Sequence, residues 1–439
     1  MDHDSLHSTL TELAARHRVP GAQLAVIHEG ERFLVHTGVC DTGSGAPVER
    51  HTAFPVGSLT KPFTAALAMI LVADGDVDLD EPLSGQLPEF GAGELVTLRQ
   101  LLSHTSGLPS DVPEGSGEAG GGDRARWVAR HCRTADLTHP PGTVFSYSNI
   151  GYVVVGRLIE AVTGMSWQEA ISAILLEPLG TRPAFVVGAR ASRPVATGHA
   201  VQAVRDRVVP IPDQDLPEVE MPNGALALSA EDLVGFARLY FAGCPDPQPL
   251  DRATADDMCF DQLSSIAIGP YGMADGWGLG WARFDDGAAD VYGHNGTGDG
   301  TSCHLRFDPA NGSAVALTAN ANTGAQLWDA LVPRLRAMGL PVGDRPAPEP
   351  PATPPPVPDD CPGRYTNGDT EFVVQPGADG GLLLSFGGAP HSELLCSPDL
   401  RFTMRELGSG ARSPGRFVTD PATGRIGYLQ ITGRLAPRR

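Results

Sequence analysis

Across roughly the first 340 residues the spacing of apolar positions changes several times. Residues 5–18 repeat at helical spacing and predict an amphipathic helix that ends at Pro20. Ala22–Ile27 and Glu31–His36 read as a hairpin turning at His28-Glu29-Gly30. The apolar stretch from Ser58 to Asp74 predicts a long helix, with Gly75 where helices commonly pass into left-handed backbone. Further helices are expected over Thr97–Ser103 and Ile150–Val162, the second capped by Asn149. Strand patterns return at Ala289–Tyr292, Ser302–Phe307 and Ser313–Ala319, and a last helix covers Gly324–Met338. Strands at both ends with helices between predict an α+β arrangement, an antiparallel sheet joining the two ends and faced by a helical region.

From Gly343 to Asp360 the chain reads GDRPAPEPPATPPPVPDD, too rich in proline for helix or central strand. This predicts a stiff linker over 343–360 between a body of 1–342 and a tail of 361–439. In the tail, short apolar runs alternate with turn signals: Glu371–Val374, Leu382–Phe386, Glu393–Cys396, Phe402–Met404, Arg416–Thr419 and Ile426–Ile431. That spacing predicts a small antiparallel sheet or barrel. The glycine-rich stretch Glu114–Gly122 predicts a mobile loop near the site.

Composition narrows the function. A net charge of −20 argues against a nucleic-acid surface, which needs clustered cations. The start of the chain lacks the basic and apolar regions of a signal peptide, and the run Ala65–Ala73 is too short to cross a bilayer. A cytoplasmic protein without membrane contact is the expectation. The seven cysteines are scattered with no C-x-x-C pair, which reads as free thiols. Of the 32 basic residues one is lysine, Lys61. It follows Thr60, so it is not the lysine of a phosphate-binding loop.

Lys61 stands three residues after Ser58, near the start of the long predicted helix. Hydroxyl and ammonium then share a face, and the first-turn N–H groups point to where an oxyanion would form. Burial and the helix N-terminus would depress the lysine pKa toward that of a general base, a role arginine cannot take. Tyr147-Ser148-Asn149 is a second candidate: a phenol able to relay a proton, and an amide able to orient a substrate amide or Lys61. Tyr147 taken alone reads better as a half-buried aromatic with a satisfied hydroxyl. His294-Asn295-Gly296-Thr297 follows the strand Ala289–Tyr292. Here His294 can hold Tyr147 or substrate through a ring nitrogen, Gly296 can let a substrate backbone lie along the strand, and the Thr297 N–H can complete an oxyanion hole with that of Ser58. Glu218 and Glu220 can anchor a peptide ammonium, or be solvated loop residues. No cofactor or metal is implied.

The order Ser-x-x-Lys, Tyr-x-Asn, His-x-Gly resembles the serine penicillin-recognising hydrolases: class C β-lactamases, DD-peptidases, and related esterases and D-aminopeptidases. TLRQLLSHTSGL (Thr97–Leu108), WGLGW (Trp277–Trp281) and the stretch Asn223–Leu233 add to the match. Histidine stands at 294 where a β-lactamase usually carries lysine, so the resemblance points away from lactam hydrolysis. ADGDVDLDEPL, TGMSWQEAISAILLEPLG, TGHAV and a proline-rich linker into a tail ending GRLAPRR are most similar to the stand-alone penicillin-binding-protein-type thioesterases, the surugamide cyclase relatives. The resemblance implies a β-lactamase/transpeptidase-like body with a lipocalin-like tail. It implies Ser58, Lys61, Tyr147, Asn149 and His294 as catalytic residues and Arg434 as a substrate contact. It further implies a peptidyl carrier protein as partner, presenting a pantetheine-linked peptide with a D-residue at its C-terminus, and release by head-to-tail macrolactamisation. An esterase or D-amino-acid peptidase using the same acyl-enzyme is the alternative, and a non-catalytic scaffold a further one.

Overall fold

A computed structural model describes residues 2–116, 123–187, 193–202, 205–212, 216–244, 249–287, 289–343, 359–377, 381–407 and 411–439. The proline-rich stretch, apart from its two ends, and residues 117–122 of the glycine-rich stretch lie outside the described residues.

The body is built on a seven-stranded antiparallel sheet. Helix α1 (His3–Arg16) leads into β1 (Gly21–His28) and β2 (Glu31–Gly38), whose turn is the two-residue Glu29-Gly30, both at positive φ. The other strands come from the end of the body: β3 (Gly276–Trp277), β4 (Ala282–Asp285), β5 (Asp290–Gly298), β6 (Thr301–Asp308) and β7 (Ser313–Ala319). Pairing β1 with β7, Leu24 opposite Leu317, joins the two ends of the body as expected. Alternation along these strands divides the core. Leu24, Val26 and Leu317 face α1 and the helix Gly324–Ala337, while Ala25, Ile27, Leu305 and Ala316 face the helical region.

At the centre of that region is the helix Thr60–Ala73, entered through a 3-10 turn, Gly57–Leu59. Thr60 to Leu71 are buried all round, which is why its sequence is apolar on every face. It ends with Gly75 at φ +81°, as read from the sequence. The helix expected at Ile150–Val162 spans Asn149–Thr163, and its cap is Ser148, whose Oγ accepts from the Gly151 N–H at 3.0 Å. Asn149 is therefore the first helical residue and not the cap, a correction with consequences at the site.

The tail is an eight-stranded antiparallel sheet running in chain order from Gly363–Asn367 to Arg434–Pro437. Tyr365 and Arg438 bridge the first and last strands, so the sheet is a nearly closed barrel. All seven cysteines are free. No helix among the described residues is long and apolar enough to cross a membrane.

Candidate active site

Ser58 lies on the 3-10 turn, partly open to solvent, where two glycines interlock the turn with β5. Gly57 has φ +51°, and a Cβ on it would lie 2.1 Å from the Thr297 carbonyl oxygen. A Cβ on Gly296 would lie 1.8 Å from the Val56 carbonyl oxygen. The absence of side chains lets the two backbones touch and sets Ser58 beside Thr297. Gly296 thus serves this packing, whatever room it also leaves for a substrate. Thr297 is exposed and pairs with Ser302 of β6.

One turn on, Lys61 is fully buried, and its Nζ donates to Ser58 Oγ and to the Asn223 carbonyl, each at 3.0 Å. Burial pulls its pKa down to about 7; Arg434 pushes the same way, while Glu220 and Asp111 oppose. Tyr147 lies with its ring centre 5.2 Å from Lys61 Nζ. Burial pushes its phenol up to about 12, against a hydrogen bond with Ser58 that acts to lower it. Lysine is therefore the group of this set that can lose its proton near neutrality.

Behind Tyr147 stand His104, Trp277 and His294, with ring centres 4.4, 6.0 and 6.1 Å from its own. His104 Nδ1 accepts from the Ser148 N–H at 3.1 Å, so its proton sits on Nε2. His294 has the opposite tautomer: a carbonyl only accepts, so Nδ1 donates to the Asn295 oxygen at 2.5 Å. Its Nε2 is buried without a partner among the described residues, and burial lowers its pKa to about 3, keeping the ring neutral. It packs near Tyr147 without a hydrogen bond between them among the contacts described.

Asn149 Nδ2 donates to Asp111 Oδ1 at 2.8 Å, not to a Lys61 atom. Arg434, from the last barrel strand, reaches over the Tyr147 ring with its guanidinium carbon 5.3 Å from the centre, and pairs with the same Asp111 at 3.1 Å. The two glutamates separate. Glu218 is exposed, with its backbone carbonyl accepting from Arg124 at 3.0 Å. Glu220 is half-buried, accepts from Asn223 Nδ2 at 3.1 Å, and has its pKa raised by burial.

The site thus gathers Ser58, Lys61, Tyr147, Asn149, His294, Gly296, Thr297, Arg434 and Glu220, and leaves Glu218 at the surface. Sequence reading did not single out Asp111, His104 or the Asn223 carbonyl. His104 and Asn223 fall inside stretches quoted for the resemblance, whereas nothing around Asp111 in the chain signals that it meets a residue 323 positions later.

The Beta-lactamase family model matches residues 6–337. Penicillin-binding protein 4 of Amycolatopsis lactamdurans is 34% identical over 368 residues, 81% of this chain and 95% of that one. The crystal structure of SurE superposes with a TM-score of 0.86 at 39% identity, covering 100% of this chain and 99% of SurE, and SurE with D-Leu gives 0.84. D-amino acid amidase from Ochrobactrum anthropi SV3 shares the fold of the body, with a TM-score of 0.63 at 24% identity over 77% of this chain. The likeness to SurE extends through the barrel that supplies Arg434. The chain belongs to the β-lactamase and penicillin-binding-protein superfamily and is a serine acyl-transferring enzyme of SurE-like architecture.

Proposed function

We propose that the chain is a stand-alone thioesterase and peptide cyclase: it takes a peptide from a carrier-protein thioester onto Ser58 and releases it as a macrolactam. The observation that carries this reading is the end-to-end likeness to SurE, barrel included, around a serine already bonded to a lysine of pKa about 7. The structure of SurE with D-Leu supports a D-configured residue at the acyl position.

In this reading neutral Lys61 takes the Ser58 proton as Oγ attacks the thioester carbon. The N–H groups of Ser58 and Thr297 receive the oxyanion. Collapse breaks the carbon–sulfur bond, and the thiolate leaves with a proton relayed through Tyr147, whose high pKa keeps it a donor. The peptide's own amine then attacks the ester, loses its proton to the same base, and Ser58 leaves as a hydroxyl. The balance between cyclisation and hydrolysis rests on holding that amine in place of water.

A linear peptidyl pantetheine thioester with a C-terminal D-residue tests this. The expected product is lighter than the linear acid by one water. Turnover giving the linear acid alone would assign the chain to the hydrolases of its family, and no adduct of a fluorophosphonate on Ser58 would leave it a scaffold.

A further inference from the structure

Asp111 stands between the barrel and the start of the helix Asn149–Thr163. Arg434 donates to both of its oxygens, Nε to Oδ2 at 3.1 Å and Nη2 to Oδ1 at 3.2 Å, and Asn149 Nδ2 donates to Oδ1 at 2.8 Å. A carboxylate only accepts, which fixes the otherwise ambiguous amide: the Asn149 atom facing Asp111 is nitrogen, and its oxygen is turned away. The Asn149 Oδ1 is buried and meets no donor among the described residues. The residue before Asp111, Ser110, is anchored too. The Asn149 N–H donates to the Ser110 carbonyl at 2.6 Å, and the Ser110 N–H donates to barrel Asn367 at 2.7 Å. The amide of Asn149 thus has one committed end and one end in want of a donor, and the commitment depends on a carboxylate braced by the barrel.

We propose that Asp111 is a positioning residue that ties Arg434 of the barrel to the Asn149 amide, so that Asn149 presents its oxygen, not its nitrogen, as the free polar atom. The complementary group is an amide N–H. Given the proposed peptide substrate, on which this part rests, that is the N–H of the D-residue being transferred to Ser58. The site then selects its acyl donor by an N–H as well as by shape. An acceptor left unpaired discriminates against a ligand without that donor.

Two acyl donors that differ at one atom read this out: an N-acyl-D-aminoacyl thioester and its analogue with an ester oxygen in place of that N–H. Acylation of Ser58 is followed by intact mass. The wild type is expected to favour the amide about tenfold, the effect of one buried hydrogen bond. Asp111→Ala, and Asp111→Ser should the alanine variant fold poorly, are expected to bring that preference close to one. Asp111→Asn, which keeps an acceptor oxygen for Asn149, is expected to retain most of it. An unchanged preference in folded Asp111→Ala or Asp111→Ser, or no preference in the wild type, overturns the assignment. Fluorophosphonate labelling separates the two levels: a wild type that is labelled but inert to thioesters defeats the proposed function. The same amide and ester pair presented as simple aryl esters still decides the role of Asp111.

Discussion

Lys61 carries the chemistry at the scale of single residues, and its burial has a sign that can be followed in pH. Acylation needs the neutral amine, so kcat/KM is expected to rise with pH through about 7 and then level off. Stability moves with it. Lys61 has a pKa of about 7 in the folded chain against an ordinary 10.5, so between those values the unfolded chain holds more protons and stability rises with pH. Below about 7 both states are charged and the full penalty of a buried ammonium is present. Lys61→Met is therefore expected to abolish acylation while raising the thermal midpoint at pH 6, with the gain narrowing toward pH 10. The lost bond to the Asn223 carbonyl offsets part of the gain. Lys61→Arg keeps the charge without a removable proton, and its acylation rate should fall by several powers of ten. A rate near that of the wild type would remove lysine from the mechanism. This residue was legible because serine and lysine lie on one helical turn. Asp111 was not, since its partners are brought to it by tertiary contacts alone.

At the scale of elements, the glycines of the nucleophile turn explain why Ser58 is held beside β5 and not merely near it. With 1.8 Å between a Cβ on Gly296 and the Val56 oxygen, neither of two paired backbones can yield cheaply. Gly296→Ala is expected to cost about 1–3 kcal/mol in urea unfolding, in the range of overpacked cores, and to slow Ser58 labelling by shifting the turn from Thr297. Wild-type labelling in that variant would show that the turn tolerates displacement. The same elements show what patterning can reveal. Helices with caps and buried faces fell within a few residues of their positions. β5 runs on to Gly298, past the expected Tyr292, because pairing with β6 carries its polar half. The barrel strands Gly363–Asn367 and Arg434–Pro437 were missed for a similar reason. They are short and carry little apolar alternation of their own, and pairing with the neighbouring strands Thr370–Pro376 and Ile426–Ile431 makes them strands.

At the scale of the molecule, the barrel is part of the site's foundation. The Tyr147 N–H donates to the Gly433 carbonyl at 3.1 Å, and Ser146 Oγ accepts from the Leu435 N–H at 3.1 Å. Asn367 joins both domains: its Oδ1 accepts from the Ser110 N–H at 2.7 Å, and its Nδ2 donates to the Leu435 carbonyl at 2.8 Å and Ser146 Oγ at 3.4 Å. At 3% exposed, Asn367 makes those bonds out of contact with solvent. Asn367→Ala should cost about 1–3 kcal/mol, chiefly by stranding the Ser110 N–H. Because Ser110 precedes Asp111 and Ser146 precedes Tyr147, the loss is expected to reach the chemistry. Ser58 acylation should slow at temperatures where the variant is still fully folded by circular dichroism. Asn367→Asp is expected to do no better, since a carboxylate can accept from Ser110 but cannot donate to Leu435. If both variants acylate at the wild-type rate while unfolding earlier, the barrel stabilises the fold without setting the catalytic geometry. A rate loss in the folded protein instead makes barrel docking a condition of catalysis, which neither the body nor the tail reveals when read alone.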